Sequence, residues 1–258
     1  MKIRLILLWG ILKKNVIERK RYFFNSISGL LTIYLIFVLI FFGMKSFVSG
    51  PQFGNTADGL VVGFFLWNFI VQVYSELSNA LIREARWGTL EQLYMSPVGF
   101  GWISFSQVLS SLAIFFLANV GFLYLIMLTT GRFLSLRIAS TFPLLIITLL
   151  GVAGIGYFLG GLTLVFKRVE SLLQIVQFLF VALVMVPVES LPLLKHFPVS
   201  FGASLIRRVM IDGTPITGLP PSDLGFLLLN STVYFLLGYG AFKYFERVAK
   251  RKGLLGHY

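Results

Sequence analysis

The chain has 258 residues, 57% of them hydrophobic and only 12% charged, with 27 Phe, a mean hydropathy of +0.87 and a formal net charge of +12. Water-soluble domains carry roughly twice that charged fraction, so the composition excludes a soluble globular protein and identifies a membrane protein. The absence of Cys excludes disulfide frameworks, thiolate catalysis and cysteine metal sites. With two distant histidines, His196 and His257, no metal centre is expected. The basic excess on so apolar a chain is read as a determinant of membrane orientation, with no nucleic-acid partner expected.

In chain order, residues 1–24 come first. Lys2 and Arg4 precede an apolar run from Leu5 to Leu12 that ends at Lys13 and Lys14 without a small-residue cleavage site, so it is not read as a signal peptide. Leu5, Leu8, Trp9, Leu12 and Val16 share one helical face, and Lys13, Lys14, Arg19, Lys20 and Arg21 can reach anionic headgroups. An amphipathic interfacial helix is expected.

A transmembrane helix needs about 20 mostly apolar residues. Six stretches free of Asp, Glu, Lys and Arg qualify or nearly so: Tyr22 to Met44, Gly59 to Ser75, Gln92 to Gly131, Ile138 to Phe166, Ser171 to Val188 and Leu224 to Phe242. The second is extended past Glu76 by Leu77 to Ile82, and the first ten or so residues of the third belong to a loop. The expected spans lie near 25–46, 59–82, 103–130, 141–166, 170–188 and 224–243, within a single transmembrane domain, 1–258. With six spans both termini share a side, and 16 of the 22 Lys and Arg fall there. That side is read as cytoplasmic.

Residues 189–223 form a long outer connection, and six of the nine prolines lie in or just beside it. Its apolar segment Phe197 to Ile211 is interrupted by Arg207 and Arg208 and is too short to cross, so a re-entrant or interfacial helix between broken half-helices is expected. Glu189, just after Pro187, lies at the outer end of the fifth span.

Catalytic signatures are missing: there is no GxxxxGK[ST] phosphate loop, HExxH, GxSxG or aspartate cluster. Asn230-Ser231-Thr232 spells a glycosylation sequon inside the sixth span and is read as fortuitous. Uncharged polar residues are more informative. Asn68, Gln72, Ser75, Glu76 and Asn79 share one face of span 2, and Glu170, Gln174 and Gln177 share one face of span 5. A lipid-facing stripe of amides is costly, so these faces meet either protein, through interhelical hydrogen bonds, or a wet pathway. Glu76 stands near the membrane boundary, with a structural role set against substrate or proton handling. Gly59/Gly63 and Gly156/Gly160 are small-residue pairs of the kind that allow close helix packing.

The most distinctive segment is Arg83 to Pro97. Gly88 permits a bend, Thr89 can cap a new helix, Glu91 falls near its positive end and Pro97 closes it. A short cytoplasmic helix over 83–97 is expected, with Leu90, Leu93 and Tyr94 available to a partner.

Glu84, Gly88-Thr89, Glu91-Gln92-Leu93 and Pro97 match E-x-x-x-G-T-x-E-Q-L-x-x-x-P, and here the chain resembles the permease subunits of type-2 ABC exporters, a group that moves drugs, lipids and polysaccharides. Leu191-Pro192, Phe197-Pro198 and Arg207 resemble that family's L-P…P…R stretch before its last span, although Phe197-Pro198-Val199 stands where many members have Asn-Pro-Leu. The resemblance covers essentially the whole chain. It implies a non-catalytic subunit, a second permease copy or paralogue, and two separate ABC ATPase chains that carry the ATP and Mg. It implies an ATPase-coupling element of Arg83, Glu84, Gly88, Thr89, Leu90, Glu91, Leu93, Tyr94 and Pro97, and a pathway lined by Asn68, Gln72, Glu76, Gln174 and Gln177. The setting it implies is the cytoplasmic membrane of a prokaryote, with membrane lipid around the chain and an amphiphilic substrate. An ion-coupled transporter would need more intramembrane carboxylates than Glu76, and a lipid- or glycan-processing enzyme would need a catalytic cluster; both stand as alternatives.

Overall fold

The computed structural model describes residues 2–47, 51–166, 168–188 and 190–253; Glu189 lies outside them. The described residues form helices α1 (Lys2–Arg21), α2 (Phe23–Phe47), α3 (Pro51–Arg86), α4 (Leu90–Tyr94), α5 (Phe100–Thr130), α6 (Ile138–Phe166), α7 (Glu170–Met185), α8 (Pro198–Met210) and α9 (Pro221–Arg251). Two 3-10 turns, Pro192–His196 and Ile216–Gly218, complete the regular structure, and no strand occurs among the described residues.

Among the described residues, five helical stretches are long and apolar enough to cross a bilayer: Phe23–Ser46, Ala57–Arg86, Phe100–Thr130, Ile138–Phe166 and Pro221–Arg251. The chain is an all-helical, multi-pass membrane protein. Where the sequence suggests a sixth span over 170–188, α7 has 16 residues, about 24 Å against a hydrocarbon core of about 30 Å. Pro187 is the cause: the residue before a proline is driven out of the helical region, and Val186 is extended, with φ −76° and ψ 124°.

Other boundaries shift for equally local reasons. α1 stops at Arg21 and not at residue 24, but Tyr22 N–H still donates to the Glu18 carbonyl and Ser26 N–H to that of Tyr22, so α1 runs into α2 across a single-residue turn. α3 continues from Pro51 to Arg86, beyond the expected 59–82, and α9 carries its helix through the basic tail to Arg251.

α3 and α6 form the centre, with α5, α7, α8 and α9 around them. Glycines on α6 set the closest approaches. A Cβ on Gly154 would collide with the Tyr234 and Phe235 backbone of α9, and one on Gly238 would collide with the backbone of Gly154. On the opposite side of α6, Gly156 meets the Tyr74 backbone and Gly160 the Leu77 side chain, both of α3. The Gly156/Gly160 pair is thus a packing contact, as small-residue pairs in membrane helices often are. The Gly59/Gly63 pair is not: Gly63 faces Met185 and Arg207, while Gly59 has nothing within 4 Å.

α8 is enclosed. Phe201, Ala203, Leu205, Ile206, Val209 and Met210 are all buried, against α6, α7 and α3. Pro198 opens the helix and packs on Gly151. By contrast α2 touches the rest mainly through Phe37 and Phe41, with Phe37 5.1 Å from the Phe64 ring, and leaves most of its apolar surface outward. In the sequon, the Asn230 amide donates to the His196 carbonyl at 2.7 Å and Ser231 is buried, so those residues are structural.

Candidate functional site

The end of α3 is closed by a left-handed glycine. Gly88 has φ +70°, its N–H donates to the Ala85 carbonyl at 3.1 Å, and Thr89 N–H reaches the Glu84 carbonyl at 3.0 Å. This pair of backward bonds is a Schellman cap, which satisfies the last carbonyls of a helix and requires a residue tolerant of positive φ. The hydrophobic contact that usually spans such a cap is replaced here by a hydrogen bond, from the Thr89 hydroxyl to the Glu84 carboxylate at 2.5 Å. Thr89 therefore does not cap α4 through its side chain, as the sequence suggested; it closes the helix before it.

Glu84 is held from a second direction. Lys14 Nζ on α1 lies 2.5 Å from its Oε1, and the same ammonium stands 5.7 Å over the Trp87 ring. One residue earlier, Arg83 lies 3.6 Å from Glu76.

The expected helix over 83–97 is shorter than read. Arg83 to Arg86 complete α3, only Leu90–Tyr94 is helical as α4, and Pro97 lies in the turn before α5. The expected contact face is also inverted. Leu90 is 2% exposed and packs with Leu77, Leu81, Phe100 and Phe242, while Leu93 is half-buried. Tyr94 stacks on Phe100, with ring centroids 4.0 Å apart, and Lys250 lies 4.8 Å from its ring. The side chains turned outward are Trp87, Glu91, Gln92 and Met95. Five helical residues give too little periodicity to fix a face, which is why the sequence misplaced it.

The polar face of α3 is spent on α5. Asn68 donates to Asn119 Oδ1 at 2.9 Å, and Asn119 donates to Gln72 Oε1 at 3.2 Å. Two turns on, Glu76 accepts from Gln107 and from Ser111, each at 2.9 Å, and Asn15 of α1 reaches Ser111 at 3.3 Å. Arg19 joins this end of the network: its guanidinium lies 4.8 Å from the Phe115 ring, and burial pushes it below its ordinary pKa while the Glu76 charge opposes that fall. Of the two open readings of the α3 stripe, interhelical hydrogen bonding is the one realised within the chain. Asn79 is exposed.

The α7 residues are not brought to this network. Glu170 pairs with Arg86 at 3.0 Å, Gln174 is exposed, and Gln177 contributes its backbone carbonyl to the Trp67 indole at 3.2 Å. Lys14, expected at anionic headgroups, is tied to Glu84, and Asn15, Gln107, Ser111 and Asn119 join the site without a signal singled out in the sequence. The last three recur at i, i+4 and i+12 in α5, a sparser signal than the five-residue stripe of α3 and set in an otherwise apolar run.

Chemically, the region can hold an angle and transmit a displacement. α3 reaches Gly88 as one unbroken rod of 36 residues, about 54 Å long, and its last turn is clamped to α1 and to α4. Among the described residues no three His, Asp or Glu side chains converge in a metal-binding group. No family model matches the chain, and no curated protein matches it significantly.

Proposed function

We propose that this chain is the permease subunit of an ATP-driven exporter of the type-2 ABC class, working as a pair with a second copy or paralogue and driven by two separate ATPase chains. The observation that carries the reading is the braced turn at Glu84 to Pro97. It ends a rod through the membrane, is fixed from both α1 and α4, and presents Trp87, Glu91, Gln92 and Met95 outward as a compact docking knob. A groove on the ATPase that grips this knob would move α3 as a lever.

In this reading α7 is the fifth crossing and α8 a re-entrant half-helix. The burial of α8 on nearly every side supports this, since a short helix at membrane depth is tolerated where protein encloses it. Gln174, exposed on an otherwise apolar helix, supports a protein or wet neighbour there, and α2 with its outward apolar face is the other unpartnered element. The pathway is placed between the two permeases, along α7, and its mixture of amide and aromatic surface suits an amphiphilic substrate: a drug-like compound, a lipid or a glycan. Both termini and the knob face the cytoplasm of a prokaryotic cell, and ATP and Mg bind on the partner chains.

The test is co-purification. The tagged chain, purified from its native membrane, is expected to recover two copies of itself with two ABC ATPase chains. Alone it is expected to hydrolyse no ATP. Robust hydrolysis by this polypeptide, or failure of Glu91→Lys together with Gln92→Lys to loosen the complex, would sink the assignment.

A further inference from the structure

A concavity of about 470 Å3 opens between the start of α1, the start of α5, and facing parts of α6 and α9, lined by Arg4, Trp102, Phe105, Tyr157, Phe235 and Tyr239. One cation, Arg4, lines it, and a second, Lys243, stands beside its Gly101 wall. The Arg4 guanidinium lies 5.4 Å from the centroid of Trp102, whose indole N–H donates to the Arg4 carbonyl at 3.2 Å, and Arg4 makes no ion pair among the described residues. Lys243 approaches from α9. A Cβ built on Gly101 would stand 3.0 Å from Lys243 Nζ and 3.0 Å from Tyr239 Oη, so a glycine at this place leaves both polar atoms room at the wall. Glu246 is shared between Lys243 at 2.7 Å and Lys250 at 2.8 Å, so these three residues together keep one positive charge.

Beside it runs an apolar groove of about 570 Å3, walled by Leu5, Leu8, Trp9 and Leu12 of α1 and by Leu109 and Ala113 of α5. Trp102, Phe105, Leu109 and Ala113 follow i, i+3, i+7 and i+11, a single face of α5. The first two belong to the basic concavity and the last two to the groove. On α1 the corresponding step is from Arg4 to Leu5. The two spaces thus follow one another along the same pair of helices, cationic and aromatic first, then aliphatic and aromatic apart from Ser110. Aromatic residues with polar tips, such as Trp102 and Tyr239, are those that favour the headgroup level of a bilayer.

We propose that these two spaces together bind one phospholipid with an anionic headgroup, its phosphate between Arg4 and Lys243 and an acyl chain along the α1–α5 groove. The lipid fills the wedge between α1 and α5 and fastens the N-terminal helix to the bundle. The inference needs only that the chain sits in a bilayer, so it stands independently of the transport reading.

The experiment is native mass spectrometry of the purified full chain in detergent with equimolar phosphatidylglycerol and phosphatidylcholine. One phosphatidylglycerol per chain is expected to be retained in preference. Arg4→Gln and Lys243→Gln are each expected to lower the retained ratio about fivefold, the size of one cation near a lipid surface, whereas Arg251→Gln, which removes the same charge outside the cavity, leaves it unchanged. Ala113→Trp, which fills the groove and leaves every charge in place, is expected to lower it comparably. Inorganic phosphate at millimolar concentration is expected not to displace the lipid. Equal retention of both lipids by the native chain, an equal effect of Arg251→Gln, indifference to Ala113→Trp, or displacement by phosphate would each overturn the proposal. If Ala113→Trp does not fold, Arg4→Gln, on an exposed side chain, still decides it.

Discussion

Lys14 Nζ on α1 lies 2.5 Å from Glu84 Oε1 on α3, so a carboxylate that the sequence pattern assigns to a partner interface is committed within the chain to its own N-terminal helix. The lysine side chain is 45% exposed and the glutamate 13%, which makes the pair half-screened. Its coupling energy is expected to be about 1 kcal/mol. Thermal unfolding of Lys14→Gln, Glu84→Gln and the double variant measures it. Exchanging the two residues, Lys14→Glu with Glu84→Lys, is expected to restore much of what Glu84→Lys alone removes; equal damage from both would show that Glu84 acts toward something other than Lys14.

Gly88 offers a cleaner backbone experiment, because a Cβ there has nothing within 4 Å. Any cost of substitution arises from φ +70° alone. Gly88→Val is expected to destabilise by about 1–2 kcal/mol and Gly88→Asn by clearly less, since Asn tolerates the left-handed region. The comparison of midpoints in detergent checks the order. Equal effects of Val and Asn would mean that the cap relaxes.

At the α6–α9 crossing the cause is different. Gly238→Ala drives a methyl into the Gly154 backbone, where no side chain can swing aside, while Gly240→Ala on the same helix meets nothing within 4 Å. Gly238→Ala is expected to cost about 1–3 kcal/mol as overpacking, lowering the yield of folded chain on size exclusion. Gly240→Ala is expected to be neutral or slightly stabilising, with the helix propensity of alanine in its favour.

In the polar network, Asn119→Leu leaves both Asn68 and Gln72 short of a partner. A loss of about 1–2 kcal/mol is expected, the range of membrane hydrogen bonds. The double change Asn68→Leu with Asn119→Leu is expected to cost less than the sum of the singles, because it removes the orphaned donor along with its acceptor. Gln174→Ala is expected to leave stability of the isolated chain untouched, its side chain being outside this network.

Topology is open to direct labelling. Tags at Lys14, Gly88 and Gly253 are expected on one side of the membrane and tags at Arg132 and Thr217 on the other. Thr217 and Gly253 on the same side would mean that α9 does not cross, and each on the side opposite to that expected would mean that the 197–211 segment does.

Much of this architecture is legible in the residues because long apolar segments report their own burial. The helices α2, α5, α6 and α9 follow almost directly from charge-free runs, and Pro187 marks the end of α7 once its effect on Val186 is considered. The polar stripe from Asn68 to Glu76 is legible as a stripe, but its destination is not, since α5 supplies the matching Gln107, Ser111 and Asn119 from a run that looks uniformly apolar. The face of the short helix α4 is misread for another reason. A helix of one turn carries no usable period, so Leu90 and Tyr94 read as a contact face until Phe100 and Phe242 are seen to occupy it. The tie between Lys14 and Glu84 is invisible from either residue alone, being one of many possible pairings in a chain with 22 basic residues.

The attachments of α1 also impose an order on assembly. Its partners stand far downstream: 70 residues separate Lys14 from Glu84, 96 separate Asn15 from Ser111, and 98 separate Arg4 from Trp102. Every such closure must wait until the chain has been made past α3 and into α5, and contacts of long sequence separation form slowly. Until then α1 has only the bilayer surface to rest on, and its exposed Leu5, Ile6 and Trp9 hold it there in solvent-shielded form. Docking of α1 is therefore expected to be a late event of folding, and Leu5, Ile6 and Trp9, still exposed in the finished bundle, are free to keep their lipid contact after it.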